Sequence, residues 1–464
     1  MTDLATLLHP DPRVRVLRPG LPDPDERCVV YWMQRAQRGT DNPALNLAIE
    51  LGNALRQPVL AVFGLTADYP EAERRHYRFL VDGLPRVRED LKARGVPMVL
   101  RIGSPADVAL AVADQAGASI VVGDENPVHV GRIWRDKVAA GLKVPFLAVD
   151  ADVVVPSSLF PKEEFAARTI RPKIQKVWDR YLVPIANPKA RVAWKREAVP
   201  KGEEVDADAL LEKLKVGGVA EVSGYVGGPS EAARRLRRFL RDRLPKYDTE
   251  RNEPVPYMTS ELSAHLHFGQ ISPTTIALAV IESNASRECK DAYLEELIVR
   301  RELSINFVAR NPKYDRLEGC PAWGLKTLAK HADDPRPILY SAERMEAGET
   351  GDPLWNAAQK EMLVTGRMHN YLRMYWGKKI LEWTPDPETA FDLTLRMNNR
   401  YFMDGRDPNG YTGVAWAIGG KHDRPWGERP IFGMIRFMSY ESTRKKFDSR
   451  AYFQWVDDLE QGKG

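Results

Sequence analysis

Between Trp355 and Trp426 lie five of the chain's eleven tryptophans: Trp355, Trp376, Trp383, Trp416 and Trp426. Each indole N–H must find a partner when buried, so an ordinary core has no need of them at this density. Met362, Leu363, Met368, Leu372, Tyr375, Trp376 and Ile380 recur at three- and four-residue intervals, the spacing of a helix. The stretch DGRDPNGYTG that follows has no helical period and is rich in turn formers. A rigid aromatic helix beside a polar loop suits the wall and floor of a site for a large planar ligand. A second patch of chemistry is MTSELSAHLHF, where Thr259, Ser260, Leu262 and Ser263 enter a helix. The free N–H groups and hydroxyls of such a turn suit a phosphate, although a plain N-cap is the commoner use. His265 and His267 alternate nearby, and no further ligand stands at metal spacing, so no metal is expected. In DAYLEELIVRRELSINF, Glu296 and Arg300 stand four apart, a spacing that usually makes a surface pair worth about 0.3–0.5 kcal/mol.

Positive charge gathers in two places. Arg234, Arg235, Arg237, Arg238, Arg241, Arg243, Lys246 and Arg251 crowd one segment, and Arg436, Arg444, Lys445, Lys446 and Arg450 another. One such cluster reads as a solvated helix face; two flanking an aromatic pocket read as a phosphate-binding rim. The overall balance of +4 says less.

The elements that must position these residues fall into two classes. From Arg27 to about Asp150 the apolar runs CVVYWM, VLAVFGL, PMVLRIG, SIVVGDE and PFLAVD alternate with helical patterns around 42–56, 71–94, 104–117 and 128–141. That alternation predicts a doubly wound, Rossmann-like parallel sheet with ligands beyond the strands' carboxyl ends. No G-x-G-x-x-G follows the first strand, which argues against the usual dinucleotide pose. Residues 1–185 are read as this α/β domain, with a connecting helix around 169–183. Residues 186–228, where Pro, Gly, Lys and Glu dominate, are read as a linker. Residues 229–464 are read as an all-α domain whose basic first helix stops at Pro245.

At 464 residues, 43% hydrophobic and 28% charged, the chain is a multidomain globular protein with no apolar run long enough to span a membrane. The N-terminus lacks signal-peptide character. Cys28, Cys289 and Cys320, odd in number and far apart, point to a reducing cytosol.

MHNYLRMYW, KKILEW, NNRYFMDGRDPNGYTGVAW and GKHDRPWGERPIFGMIRFM closely resemble class II cyclobutane pyrimidine dimer photolyases of the photolyase/cryptochrome family. The resemblance implies FAD, reduced in the active form, and light-driven repair of pyrimidine dimers in double-stranded DNA by a cytoplasmic monomer, nucleoid-associated in a prokaryote. It assigns Tyr247, Thr259, Ser260, Leu262, Ser263, Arg300, Arg373, Asn398, Asp404, Asp407 and Gly410 to the flavin. Asn398 falls near flavin N5, Asp404 and Asp407 bond ring and ribose donors, and Gly405 and Gly410 allow close backbone approach. Trp376, nearest the flavin, with Trp383 and Trp355 farther out, resembles the family's electron relay. Glu296 would bond the damaged pyrimidines, Met374, Trp416 and Trp426 would wall the lesion, and Arg251, Asn252 and Arg424 would meet the DNA backbone or fill the vacated hole. YWMQR, residues 31–35, is typical of the family's N-terminal domain, which in relatives holds an antenna chromophore such as a deazaflavin; packing of Trp32 and Met33 between domains is the reading preferred here. Ile305 and Asn370 depart from the family's Asp and Gly, which bears on local pocket geometry.

Rival readings are a cryptochrome-like photoreceptor without repair activity, a photolyase for the (6-4) lesion using His369 and His422, and a flavin-free nucleic-acid-binding module. The chain ends 38 residues after Trp426, without the extension common in cryptochromes.

Overall fold

The computed structural model describes residues 11–23, 26–255 and 257–462; residues 1–10, read above as lacking signal character, lie outside them. Five of the apolar runs form β2 (Cys28–Trp32), β3 (Val59–Leu65), β4 (Met98–Ile102), β5 (Ala118–Asp124) and β6 (Phe146–Val149), all mutually parallel where they pair. A sixth strand, β1 (Val14–Arg18), joins the edge antiparallel to β6, with Val14 opposite Val149. The sequence reading missed it because VRVLR is short, partly exposed and mixes arginine with valine. The order is β1-β6-β5-β2-β3-β4. The order reverses at β2, and helices Pro43–Leu55, Arg74–Ala93, Pro105–Ala116 and His129–Gly141 stand where their patterns predicted.

The turn after β2 is fixed by one carboxylate. Asp124, ending β5, accepts from Tyr31 Oη at 2.9 Å and from the backbone N–H groups of Gln34, Arg35 and Ala36 at 2.8–2.9 Å. Trp32, expected between domains, is instead fully buried inside the α/β domain, 6.0 Å from Phe146; alternation along β2 turns it into the sheet's core.

Residues 186–228 are packed rather than free. Trp194 donates its indole N–H to Val59 O of β3 at 2.9 Å, and the helix Ala207–Leu214 buries Leu210, Leu211 and Leu214 in the core of the α/β domain. The helical segment DADALLEKLKV is legible in the sequence, but its packing against the α/β domain is not. The basic helix also runs on past Pro245: Pro229–Arg238 passes through a π-turn at Phe239–Arg243 and a 3₁₀ turn at Leu244–Lys246 into Tyr247–Glu250. Widening the turn before the proline accommodates its ring and missing N–H without ending the helical path.

The domains are joined by buried charge. Asp152 binds Arg35 at 2.8 Å and Arg38 and Arg301 at 3.2 Å, and Arg35 continues to Asp407 at 3.2 Å. Arg75 adds hydrogen bonds to Tyr401 O and Leu363 O at 2.9 and 2.7 Å.

Candidate active site

Four helices, Pro353–Thr365, Asn370–Trp383, Pro387–Tyr401 and Pro408–Gly419, carry the aromatic stretch. Asp352, His369, Asp386 and Asp407 cap them, each side chain accepting from a first-turn N–H. Trp376 and Trp355 stack with ring centres 6.3 Å apart and planes 8° apart, and Trp383 meets Trp355 edge-on at 5.5 Å. The order in space is therefore Trp376, Trp355, Trp383. All three are buried; Trp383 leads on to the half-buried Tyr340, 5.2 Å away. At the other end Trp376 lies 6.0 Å from Phe402, and the Arg373 guanidinium covers the Phe402 ring at 3.8 Å.

Arg373 also donates to Asn398 Oδ1 and, at 3.1 Å, to Asp404 Oδ1. Asn398 is buried and donates to Asn399 Oδ1 at 2.9 Å. The expected trio thus meets at the inner end of the tryptophan row. Thr259 and Ser260 are part-exposed and Ser263 is exposed at the start of the helix Ser263–His267. A cation, an amide, a carboxylate and open hydroxyls are the donor set a flavin dinucleotide needs, so the residues fit FAD. Tyr247 and Leu262 are buried in the packing beneath, Tyr247 edge-on to Tyr293 at 5.2 Å.

Several assignments change. Asp407 is not free for a ribose: Oδ2 holds Arg35 and His267, at 3.2 and 3.4 Å, and Oδ1 accepts from Asn409 N. Gly405 and Gly410 serve packing. A Cβ on Gly410 would lie 2.8 Å from Asn398 Nδ2, and one on Gly405 would lie 2.6 Å from Asn398 O. Glu296 and Arg300 do not pair. Residues Glu295–Arg300 form a π-turn, so Arg300 falls over Glu295 at 2.9 Å, and Glu296 is turned toward Arg251, 3.8 Å away. Arg300 is thereby held by Glu295 with its side chain about half exposed. Partial desolvation raises the pKa of Glu296, although about half of the side chain is exposed, and Arg300 and Arg251 temper the rise.

The indoles expected to wall the lesion stand in a ladder with cations. Lys378 Nζ lies 4.4 Å from the Trp416 ring, Arg436 lies 5.9 Å from Trp416 and 4.8 Å from Trp426, and Arg424 covers Trp426 at 4.7 Å. Met374 is half-buried on the same helix as Arg373, and Asn252 is exposed. Lys378 and Arg436 escaped the sequence reading: a lysine within a helix looks like a surface residue, and Arg436 was seen only as part of a basic cluster. The basic run is partly consumed internally. Arg235 is buried against Glu231, while Glu261 binds Arg243 and Arg367, which hold its carboxyl down at about 2 against the opposing effect of burial. Arg237 and Arg238 are exposed. Of the two departures, Asn370 is an exposed first residue of its helix and Ile305 is buried in Arg301–Arg310. His369 holds Arg251 O at 2.9 Å, and burial pushes His422 down to about 3.

A cavity of about 840 Å³, mouth included, opens at the carboxyl ends of β2, β3 and β5, lined by Gln34, Gln37, Tyr69, His76, Trp134 and Arg406 among others. Both amide atoms of Gln34 and Oε1 of Gln37 are buried there without partners among the described residues. Arg406 is buried, bonded to Asn399 O, with no carboxylate in ion-pair contact among the described residues.

Comparison with known proteins decides the family. The DNA photolyase family profile matches residues 29–189. The chain is 43% identical over 456 residues to the deoxyribodipyrimidine photo-lyase of Methanothermobacter thermautotrophicus, covering 98% of this chain and 99% of that one. It belongs to the DNA photolyase family. The photo-lyase of Oryza sativa subsp. japonica is likewise 43% identical over 466 residues, covering 96% of this chain and 90% of the other. A class III photolyase from Agrobacterium tumefaciens shares the fold at a TM-score of 0.72 and 19% identity, over 94% of this chain and 86% of that one. Among the described residues no helix is long and apolar enough to cross a membrane.

Proposed function

We propose that this photolyase is a class II enzyme that repairs cyclobutane pyrimidine dimers in double-stranded DNA, acting as a cytosolic monomer. The observation that carries the reading is the stacked tryptophan row ending against Phe402, whose ring is covered by Arg373 with Asn398 and Asp404 at hand. When bound, reduced FAD supplies a photoexcited one-electron donor, which no side chain does from its ground state. Arg373, Asp404 and Asn398 would hold the flavin ring by its polar groups. Thr259, Ser260 and Ser263 meet the diphosphate. Trp383, Trp355 and Trp376 would relay electrons inward toward the bound cofactor. Glu296, turned toward Arg251 at the rim, would hydrogen-bond the damaged pyrimidines. Trp416 and Trp426 stack on a flipped-out dimer, whose extrusion costs a few kcal/mol and less where the lesion has already weakened pairing. Arg251, Asn252 and Arg424 steady the DNA around the gap.

The cavity at the strand ends, with its unpartnered Gln34 and carboxylate-free Arg406, is the place for an antenna chromophore such as a deazaflavin, whose anionic and amide groups those side chains complement. Blue light on the reduced, FAD-loaded protein with thymine-dimer DNA should restore the absorbance of the monomeric bases. Photoreduction without any repair would instead support the photoreceptor reading.

A further inference from the structure

The tryptophan row has a neighbour of different acid–base chemistry. Trp376 donates its indole N–H to Gln359 Oε1 at 2.9 Å, and Trp355 donates to Trp376 O at 3.0 Å. Amide oxygens are too weakly basic to take a proton, so a hole on either indole keeps its positive charge. Tyr375 differs. It is fully buried, next to Trp376 in the chain, and its hydroxyl donates to the Asp352 carboxylate. The other Asp352 oxygen accepts from Trp355 N at 3.0 Å, which sets the carboxylate one turn from the middle indole. A single ammonium, Lys379 Nζ, lies 5.8 Å from the Tyr375 ring and 5.4 Å from the Trp383 ring. Tyr340, beyond Trp383, has no such base: its hydroxyl accepts from Gly351 N at 2.7 Å, and no carboxylate bonds it among the described residues.

We propose that Tyr375 and Asp352 form a proton-coupled trap for the hole on this row. The proposal rests on reading the three tryptophans as an electron relay. One electron leaves Tyr375 for an oxidised tryptophan, which is restored to its neutral state, and the phenolic proton crosses the existing hydrogen bond to Asp352. The products are a neutral tyrosyl radical and a neutral carboxylic acid, with no heavy-atom bond made or broken. Burial, with Asp352 alongside, holds the phenol's pKa far above its ordinary value, so the proton is still present when the hole arrives. Lys379 disfavours a positive hole on either ring, tempered by Glu382 at 2.7 Å, and a neutral radical avoids that repulsion. Charge recombination then requires the proton to return from Asp352, which lengthens the separated state.

The test is flash excitation of the oxidised, FAD-loaded protein, followed by transient absorption, radical resonance and light-minus-dark infrared spectroscopy. Wild type should show a tyrosyl radical together with a new protonated-carboxyl band. Tyr375→Phe, which removes one hydroxyl and keeps the ring, should lose both signals and shorten the separated state about tenfold or more. Asp352→Asn should lose the carboxyl band; because Asp352 also caps a helix, Tyr375→Phe decides alone if that variant does not fold. A radical that survives Tyr375→Phe and vanishes in Tyr340→Phe overturns the trap, as does an unchanged lifetime in Tyr375→Phe. Trp376→Phe separates the two readings: normal photoreduction in that variant overturns the relay itself and the trap with it, whereas blocked photoreduction with a Tyr375→Phe indistinguishable from wild type overturns the trap alone.

Discussion

Lys378 is fully buried in the helix Asn370–Trp383 with no carboxylate partner among the described residues; its ammonium donates to Trp416 O and Ala417 O at 3.2 and 2.6 Å. Those carbonyls end the helix that carries Trp416, so the charge complements the negative end of a helix dipole. Burial nonetheless pushes the pKa of Lys378 down to about 7. The folded state therefore binds fewer protons than the unfolded state between about pH 7 and 10.4, and stability attributable to this group rises with pH in that window. Below it both states are protonated and the contribution is flat. Lys378→Met should remove this slope: wild type should gain about 1–3 kcal/mol relative to the variant between pH 7 and 9 in denaturant titrations. Equal slopes would mean that the ammonium is solvated or paired. At the same scale, Trp376→Phe should slow photoreduction of oxidised flavin about tenfold or more while prereduced enzyme repairs nearly as before. Of the individual residues, Arg373, Asn398 and Asp404 were legible because the resemblance covers them without a gap. Lys378 and Tyr375–Asp352 were not, since a buried charge or a proton acceptor depends on which helix faces which, and residue type alone does not carry that.

The helices Pro387–Tyr401 and Pro408–Gly419 meet where Gly410 abuts Asn398. Gly410→Ala would place a methyl group 2.8 Å from Asn398 Nδ2, closer than carbon and nitrogen tolerate, so the amide must shift. The expected outcome is a loss of about 1–3 kcal/mol in stability and a displaced flavin absorption band, seen in melting and in the bound-cofactor spectrum. An unshifted spectrum with intact affinity would show that Asn398 is not at the ring. The DNA-facing elements can be separated in a similar way. Trp416→Ala should weaken binding to dimer-containing duplex by about 1–3 kcal/mol and leave the salt slope unchanged. Arg237→Ala with Arg238→Ala should weaken damaged and undamaged duplex alike and reduce the slope by about 0.9 for each phosphate left unneutralised. Helices and strands were readable from their periodicity. The π-turns at Phe239–Arg243 and Glu295–Arg300 were not, because an inserted residue in a helix leaves the apolar pattern almost intact while rotating everything downstream. That rotation is why Glu296 faces Arg251 and Arg300 does not face Glu296.

Across the whole molecule, the α/β and helical domains are locked by charges that each had to leave water. Asp152 is shared by Arg35, Arg38 and Arg301, and Asp407 by Arg35 and His267. The sequence could not pair them: Arg35 and Asp407 are 372 positions apart, and their types fit a surface as well as a buried cluster. Burial works against both carboxylates, yet the guanidinium groups, and at Asp407 the His267 hydrogen bond, hold their pKa values below the usual range. A depressed folded pKa contributes stability that is complete above the unfolded value of about 3.9 and fades as pH falls toward the folded one. Asp407→Asn keeps the shape and removes the charge, which leaves the Arg35 guanidinium short of one partner in a site with little water. The expected cost is about 3–5 kcal/mol at pH 7, shrinking as wild type itself loses the contribution below about pH 4. Because the Arg35–Asp407 pair bridges the two domains, the variant should also unfold in two separable steps where wild type unfolds in one, followed by near-ultraviolet dichroism for the tryptophan row and by intrinsic fluorescence. A single transition with an unchanged acid limb would show that Asp407 is a helix cap only, and that the domains are held by their apolar packing.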